Sequence, residues 1–291
     1  MGGAVLRLGT QRYSDTRLLI MAIINRTPDS FYDKGATYAE GEALAAVDRA
    51  VAEGADIVDI GGVKAGPGAP VNTAEELRRT VTFVAEVRQR HPDIVISVDT
   101  WRAEVARAVC AEGADLMNDA WEGHDPQLAE VAAEYRTGIV CTHAGGQVPR
   151  TRPHRVQYRD VVADIVTTTT RLAQRAADLG VPRASIIIDP GHDFGKTTAQ
   201  TLAATAATDQ LVATGWPVLM SLSRKDFVGE TLGIDTPADR LTGTLAATAV
   251  TAWLGARIWR VHDVAATRQV LDMVAAIRGD QPPLTAVRGL A

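Results

Sequence analysis

Gly54-Ala-Asp-Ile-Val-Asp-Ile-Gly-Gly62 ends one helical segment, turns, and runs through a short apolar stretch to a glycine pair. Gly113-Ala-Asp-Leu-Met-Asn-Asp119 does the same and finishes on Asn118-Asp119. Six further apolar runs share the pattern. Leu18 to Ile24 precedes Asn25, Ile94 to Val98 precedes Asp99, and Ile139 to Cys141 precedes His143. Ile186 to Ile188 leads into Asp189-Pro-Gly191, Val218 to Met220 into Ser223-Arg-Lys225, and in Ile258 to Val261 Arg260 alternates with His262. Helical segments separate the runs: 42–53, 73–90, 102–112, 127–135, 160–179, 201–214 and 237–254, with 265–278 closing the series. Thr73-Ala-Glu-Glu opens the second of these as a capping-box pattern.

Such alternation predicts βαβ units around a parallel sheet. Eight units predict an α/β fold of the TIM (β/α)8 barrel type, which needs roughly 250 residues. The chain has 291. We read residues 1–17 as an N-terminal arm, 18–278 as a single-domain barrel and 279–291 as a tail. The competing fold, a doubly wound open sheet, calls for a Gly-rich phosphate turn after the first strand. Asn25-Arg-Thr-Pro-Asp-Ser30 stands there instead. In a barrel the C-terminal strand ends converge on one mouth, and the chemistry sits there. The stretch 144–155, rich in Gly, Pro and Arg, reads as a long loop after the fifth strand.

Composition narrows the partners. Apolar residues at 46% and charged residues at 22% suit a globular domain. A formal charge of -5 gives no general basic surface for nucleic acid. No apolar run approaches the ~20 residues that span a bilayer. The first residues lack the apolar core of a signal peptide, and Cys110 and Cys141 read as buried thiols of a reducing compartment. Neither nucleic acid nor membrane is expected as a partner, and the expected location is the cytoplasm.

The strand ends supply candidates for chemistry. Ser223-Arg224-Lys225 and Arg260 with His262 follow the seventh and eighth strands, where barrels often hold phosphate. Strand alternation puts Arg260 and His262 on one side. Asp99, Asn118 and Asp189 can grip the amide edge of a flat heterocycle, although each alone also suits a cap or turn. Asn25 is a turn cap or an oxygen ligand for Mg²⁺ beside phosphates. Phe194-Gly-Lys196 reads as an aromatic wall with a charge beside it, or as a packed Phe with an exposed Lys. Trp253 and Trp259 read as core or subunit interface.

Taken in order, Asn25-x-Thr-Pro-Asp-Ser-Phe31, the 54–62 stretch, Ser97-Val-Asp-Thr100, Asn118-Asp119, Asp189-Pro-Gly191 with Phe194-Gly-Lys196, Ser223-Arg-Lys225 and Arg260-Val-His-Asp263 resemble dihydropteroate synthase. The match runs from about Leu18 to Ala276. It implies the same barrel, usually a homodimer. The implied reaction is transfer of (7,8-dihydropterin-6-yl)methyl from its diphosphate to the amine of 4-aminobenzoate. By this likeness Asp99, Asn118, Asp189 and Lys225 hold the pterin. Arg260, His262 and Asn25 hold the diphosphate, with Asn25 also a ligand to Mg²⁺. Phe194, Lys225 and Ser223 face the aminobenzoate, and Asp29 lies on a loop that closes over the site. Asp29, Asp99, Asp189 and Lys225 are the implied catalytic set.

The chain also departs from the family pattern. Val63-Lys-Ala-Gly66 replaces Glu-Ser-Thr-Arg before Pro67-Gly68, and His192-Asp193 replaces Ile-Gly or Val-Gly. A His-Asn pair after Lys196 is missing, Ser221 replaces Gly, and Thr142-His-Ala144 replaces Met-His-Met. Arg26 is unusual beside Asn25. These changes gather on the aminobenzoate side, while the pterin and diphosphate residues remain. The pattern implies a pterin-diphosphate-binding paralogue with weak or absent synthase activity. A working synthase with unusual loops and a methyltetrahydrofolate-type pterin protein are the alternatives.

Overall fold

Alternation along each barrel strand sorts its residues into two environments, because successive side chains point to opposite faces. The computed structural model describes residues 5–27, 40–151 and 156–288. A short antiparallel hairpin comes first, β1 (Leu6–Leu8) and β2 (Gln11–Tyr13). The barrel strands are β3 (Leu19–Asn25), β4 (Ile57–Gly61), β5 (Val95–Asp99), β6 (Leu116–Asp119), β7 (Gly138–Thr142), β8 (Ile186–Asp189), β9 (Leu219–Met220) and β10 (Ile258–Val261). They form one eight-stranded sheet in the order β8-β7-β6-β5-β4-β3-β10-β9, parallel throughout. A parallel bridge between Ile188 and Val218 joins the two edges and closes the barrel.

One phase of the alternation packs outward. Ile20, Ala22, Val58, Ile60, Ile96, Val98 and Met117 meet the helices in the larger apolar cluster. The other phase fills the interior in rows. Leu19, Met21, Ile57, Val95, Leu116, Val140, Ile187, Leu219 and Ile258 form the apolar lower rows. Leu6 and Leu8 of the hairpin join them with no exposed surface. The arm is therefore a plug in the N-terminal end of the barrel. Two residues further up the same strands the interior turns polar, with Asp59 paired to Ser97, and Asp99 to Asn118. That switch from apolar to polar marks the mouth.

The helices are α1 (Glu40–Ala52), α2 (Thr73–Arg90), α3 (Ala103–Ala111), α4 (Gln127–Tyr135), α5 (Val161–Asp178), α6 (Thr198–Ala206), α7 (Thr208–Val212), α8 (Asp226–Leu232), α9 (Leu241–Trp253) and α10 (Val264–Arg278). Three differences from the sequence reading have local causes. The cap of α2 is Asn72, whose side chain accepts from the Glu75 N–H, so Thr73 is already helical. The reciprocal capping box lies instead at α6, between Thr197 and Gln200. The 201–214 segment breaks into α6 and α7, where the Thr205 and Thr208 hydroxyls donate to the carbonyls of Thr201 and Thr205. Residues 237–240 form a separate 3-10 turn before α9.

Candidate functional site

Asp59 is the hub of the polar floor. It is fully buried and accepts from Ser97 Oγ (2.6 Å), Asn118 Nδ2 (3.1 Å) and Arg260 Nε (2.6 Å). Arg260 also donates through Nη2 to Asp99 Oδ2 at 3.1 Å. These two bonds use two of the five guanidinium N–H donors. Because Asn118 gives its amide N–H to Asp59, its carbonyl oxygen is left as the acceptor for another group. Burial pushes the Asp99 carboxyl up to about 7 against the lowering pull of Arg260, with Asp59 adding to the rise.

Across the floor, Asp189 Oδ1 accepts from the Gly191 N–H at 2.7 Å and Oδ2 from Ser221 Oγ at 3.0 Å. Burial raises its carboxyl as well. Lys225 Nζ donates to the His192 carbonyl at 2.6 Å and lies 4.9 Å from the centre of the Phe194 ring. Burial lowers the Lys225 ammonium. Ser223 Oγ accepts from the His262 backbone N–H at 3.2 Å and lies 2.9 Å from Nδ1. With the hydroxyl donating to Nδ1, the neutral ring carries its proton on Nε2. Burial, with Arg260 next in effect, pushes His262 down to about 3, so its ring is neutral at pH 7.

These groups surround one cavity of about 280 Å³ at the C-terminal mouth. Of the residues singled out in the sequence, Asn25, Asp99, Asn118, Asp189 and Phe194 line it. So do Ser223, Lys225, Arg260 and His262. Asp29 lies outside the described residues. Among the described residues no group of three or more His, Cys, Asp or Glu could hold a metal ion. A Mg²⁺ ion here would therefore rely on the Asn25 side-chain oxygen, the phosphates of a ligand and water, a donor set that suits this ion.

Several sequence expectations change. Arg224, read with its neighbours as a phosphate fork, turns away and grips Asp263 through two bonds of 2.8 and 2.7 Å. Lys196 is buried, not exposed; it donates to the carbonyls of Gly191 and Phe194 (3.0 Å each), and its Nζ lies 2.7 Å from His143 Nδ1. His143 Nε2 in turn meets Asp164 at 2.8 Å. This relay fastens the Phe194 loop to β7 and α5, and burial pushes Lys196 down to about 7. His192-Asp193 does not present the charged pair its composition suggests. His192 has no exposed surface, stacks on Phe227 at 5.9 Å, and is kept neutral by burial and by Lys225 and Lys196. Arg26 lies back over Phe83 of α2, 4.7 Å from the ring centre.

The substituted second loop forms a wall. Val63 to Pro67 line the cavity, and Ala65, like Trp101 and Phe194, packs against the buried cluster of Ala120, Trp121 and Ala144. Arg79 Nη1 holds the Gly62 carbonyl at 2.9 Å, and Arg150 Nη1 holds that of Ala69 at 2.8 Å. Asp59 and Trp121 went unmarked in the sequence reading. Asp59 shows there as a carboxylate on the inward phase of Ile57, Asp59 and Gly61. Trp121 shows as a large aromatic two residues past a polar strand end, and it meets Phe194 edge-on at 5.0 Å.

Comparison with known proteins agrees with this geometry. The pterin binding enzyme family matches residues 21–262. A protein of Mycobacterium leprae named "Inactive dihydropteroate synthase 2" is 58% identical over 279 residues, covering 94% of this chain and 96% of that protein. Dihydropteroate synthase of Streptococcus pyogenes serotype M6 is 36% identical over 261 residues, covering 89% and 95%. The crystal structure of Yersinia pestis dihydropteroate synthase with a sulfonamide drug complex superposes with a TM-score of 0.89 at 33% identity, covering 95% of this chain and 100% of that one. With polar residues at the ends of its barrel strands gathered on one cavity at the mouth, the chain belongs to the dihydropteroate synthase family of pterin-binding barrels.

Proposed function

We propose that the chain binds a pterin diphosphate and forms dihydropteroate weakly or not at all. The observation that carries this reading is the contrast between the two halves of the cavity. The floor keeps its heterocycle-reading groups Asp99, Asn118 and Asp189, and Lys225, Arg260 and His262 stand beside them. The outer wall, Val63-Lys-Ala-Gly66, offers neither the hydroxyls nor the guanidinium that the family pattern places there. In this reading Arg260, the His262 Nε2–H and Asn25 hold the diphosphate, Asn25 with Mg²⁺. The ion would neutralise leaving-group charge when bound. Asp99, Asn118, Asp189 and Lys225 orient the pterin, and Phe194 and Ser223 flank the second compartment. Asp29 belongs to the first loop by family likeness.

Interactions made only on closure act on the transition state and not on ground-state binding. The expected result is therefore measurable calorimetric binding of the pterin diphosphate, with very slow product formation from 4-aminobenzoate. Val63→Glu, Lys64→Ser, Ala65→Thr and Gly66→Arg introduced together should raise turnover, each factor of ten corresponding to ~1.4 kcal/mol of barrier. Wild-type turnover at the rate of an ordinary metabolic enzyme would instead favour a working synthase.

We further propose a homodimer built on the late helices. Val250, Trp253, Met273 and Ile277 of α9 and α10 are each more than half exposed, and large apolar groups gathered in this way mark interfaces. Light scattering at micromolar concentration should give twice the chain mass, and Trp253→Glu should give the monomer. No helix among the described residues is long and apolar enough to cross a membrane. A cytoplasmic location is part of this reading.

A further inference from the structure

The turn that joins the floor of the cavity to its wall closes around one amino group. Asp189 ends β8, Phe194 stands in the wall, and Lys196 follows two residues later. Its Nζ donates to the carbonyls of Gly191 and Phe194 at 3.0 Å each and lies 2.7 Å from His143 Nδ1. Gly191, at φ +66, rests so closely on the His143 carbonyl that a Cβ has no room. The Gly191 N–H in turn donates to Asp189 Oδ1 at 2.7 Å. One buried side chain thus reaches the floor carboxylate through Gly191 and the wall ring through Phe194.

The partners of Lys196 match its charged form. His143 Nε2 lies 2.8 Å from Asp164 Oδ1, and a carboxylate only accepts, so the ring proton sits on Nε2. Burial, with Lys196 next in effect, keeps the ring neutral, and Nδ1 is left as an acceptor. Two carbonyls and Nδ1 are then three acceptors for the three N–H donors of an ammonium. A neutral amine has two donors and a lone pair, so one acceptor would face that lone pair. We propose that the Lys196 ammonium is the positioning group of this cavity: it holds the 189–196 turn so that Gly191 aims Asp189 and Phe194 stands as the wall, and ligand binding weakens when its proton is lost. Burial lowers this ammonium to about 7 against the pull of Asp189, with Lys225 lowering it further and Glu122 and Asp193 supporting it. The change therefore falls near neutral pH. Tyr158, whose hydroxyl donates to the Gly195 carbonyl, is raised by burial to about 12 and keeps its proton throughout.

This inference rests on the pterin-site reading, and the test separates the two. Pterin is titrated calorimetrically at about pH 6 and about pH 8.5 into wild type, Lys196→Met and Asp164→Asn. Lys196→Met keeps the bulk and removes the donors. At the lower pH it should bind about tenfold more weakly than wild type, the scale of one hydrogen bond from a charged group. At the higher pH the gap should narrow to about threefold, the scale of a bond between neutral groups. Asp164 is half exposed and is the milder site. An asparagine there can donate to Nε2, which frees the ring proton for Nδ1, and an uncharged amine then accepts from it. Asp164→Asn should match wild type at the lower pH and bind pterin more tightly than wild type at the higher. A Lys196→Met deficit of one size at both pH values, or no deficit, overturns the positioning inference and leaves the pterin site standing. Should that variant not fold, Asp164→Asn decides: binding no tighter than wild type at the higher pH overturns the inference as well. A wild type that binds no pterin at either pH overturns the site reading and this inference with it.

Discussion

Asp59→Ala is expected to cost about 3–5 kcal/mol of folding stability, the usual penalty for removing one partner of a buried ion pair. The pair is Asp59 with Arg260, joined at 2.6 Å in the barrel interior. Removal leaves Arg260 with Asp99 at 3.1 Å, and strips the Ser97 hydroxyl and the Asn118 amide of their acceptor. Native domains are stable by only about 5–15 kcal/mol, so the loss is a large share of the whole. Pterin binding should fall with it, because Asn118 is aimed by its bond to Asp59. Urea unfolding measures the first effect and calorimetry the second. A loss below about 1 kcal/mol with normal binding would show that Asp59 is not the hub. Asp59→Asn retains one acceptor oxygen and should lie between wild type and alanine.

Stability should rise with pH between about 7.5 and 8.5, at up to about 1.4 kcal/mol per unit, because Lys196 differs in charge between the two states. Burial holds Lys196 at about 7 and also lowers Lys225. In this window the unfolded chain carries a proton on Lys196 that the native state has largely shed. Unfolding therefore takes up protons, and raising the pH opposes it. Stability of this kind is present in full above the unfolded lysine value and is lost as pH falls through the folded one. His143, His192 and His262, whose folded values are lowered, are largely neutral in both states by about 7.5. Above the window the buried thiols turn the trend, since Cys110 is raised to about 11 and Cys141 further. Denaturant midpoints at closely spaced pH values check the slope, and Lys196→Met should flatten it. A flat or falling wild-type profile would contradict an uncharged native Lys196.

The barrel was legible because strand and helix repeat with different periods, and the strands end on polar residues or, at Gly61-Gly62, on a glycine pair. The expected segments Thr73–Arg90 and Gln127–Tyr135 coincide with α2 and α4 residue for residue. Helix α8 left no such mark. It has seven residues and contains Gly229, where an added Cβ would come within 2.4 Å of Arg240 Nε. The nine named residues lining the cavity could be found because a barrel sends strand ends, and the loops that follow them, to one place. What could not be read was how they pair. Asp59 meets Arg260 across 201 positions, and Lys196 meets His143 across 53, and no local periodicity encodes either contact. Arg224 misled for the same reason, since its partner Asp263 lies 39 residues on.

The plug at the N-terminal end has a consequence for traffic. Leu6 and Leu8 seal the bottom of the barrel with no exposed surface, so a molecule resting on the polar floor leaves by the way it came. That way passes Val63 to Pro67 and Phe194. Occupancy is then a stack: whatever sits in the outer half must depart before the inner ligand can. The inner ligand's dissociation rate should fall as the concentration of an outer ligand rises, even where the two never touch. Order of departure is thus written at the opposite end of the molecule from the door.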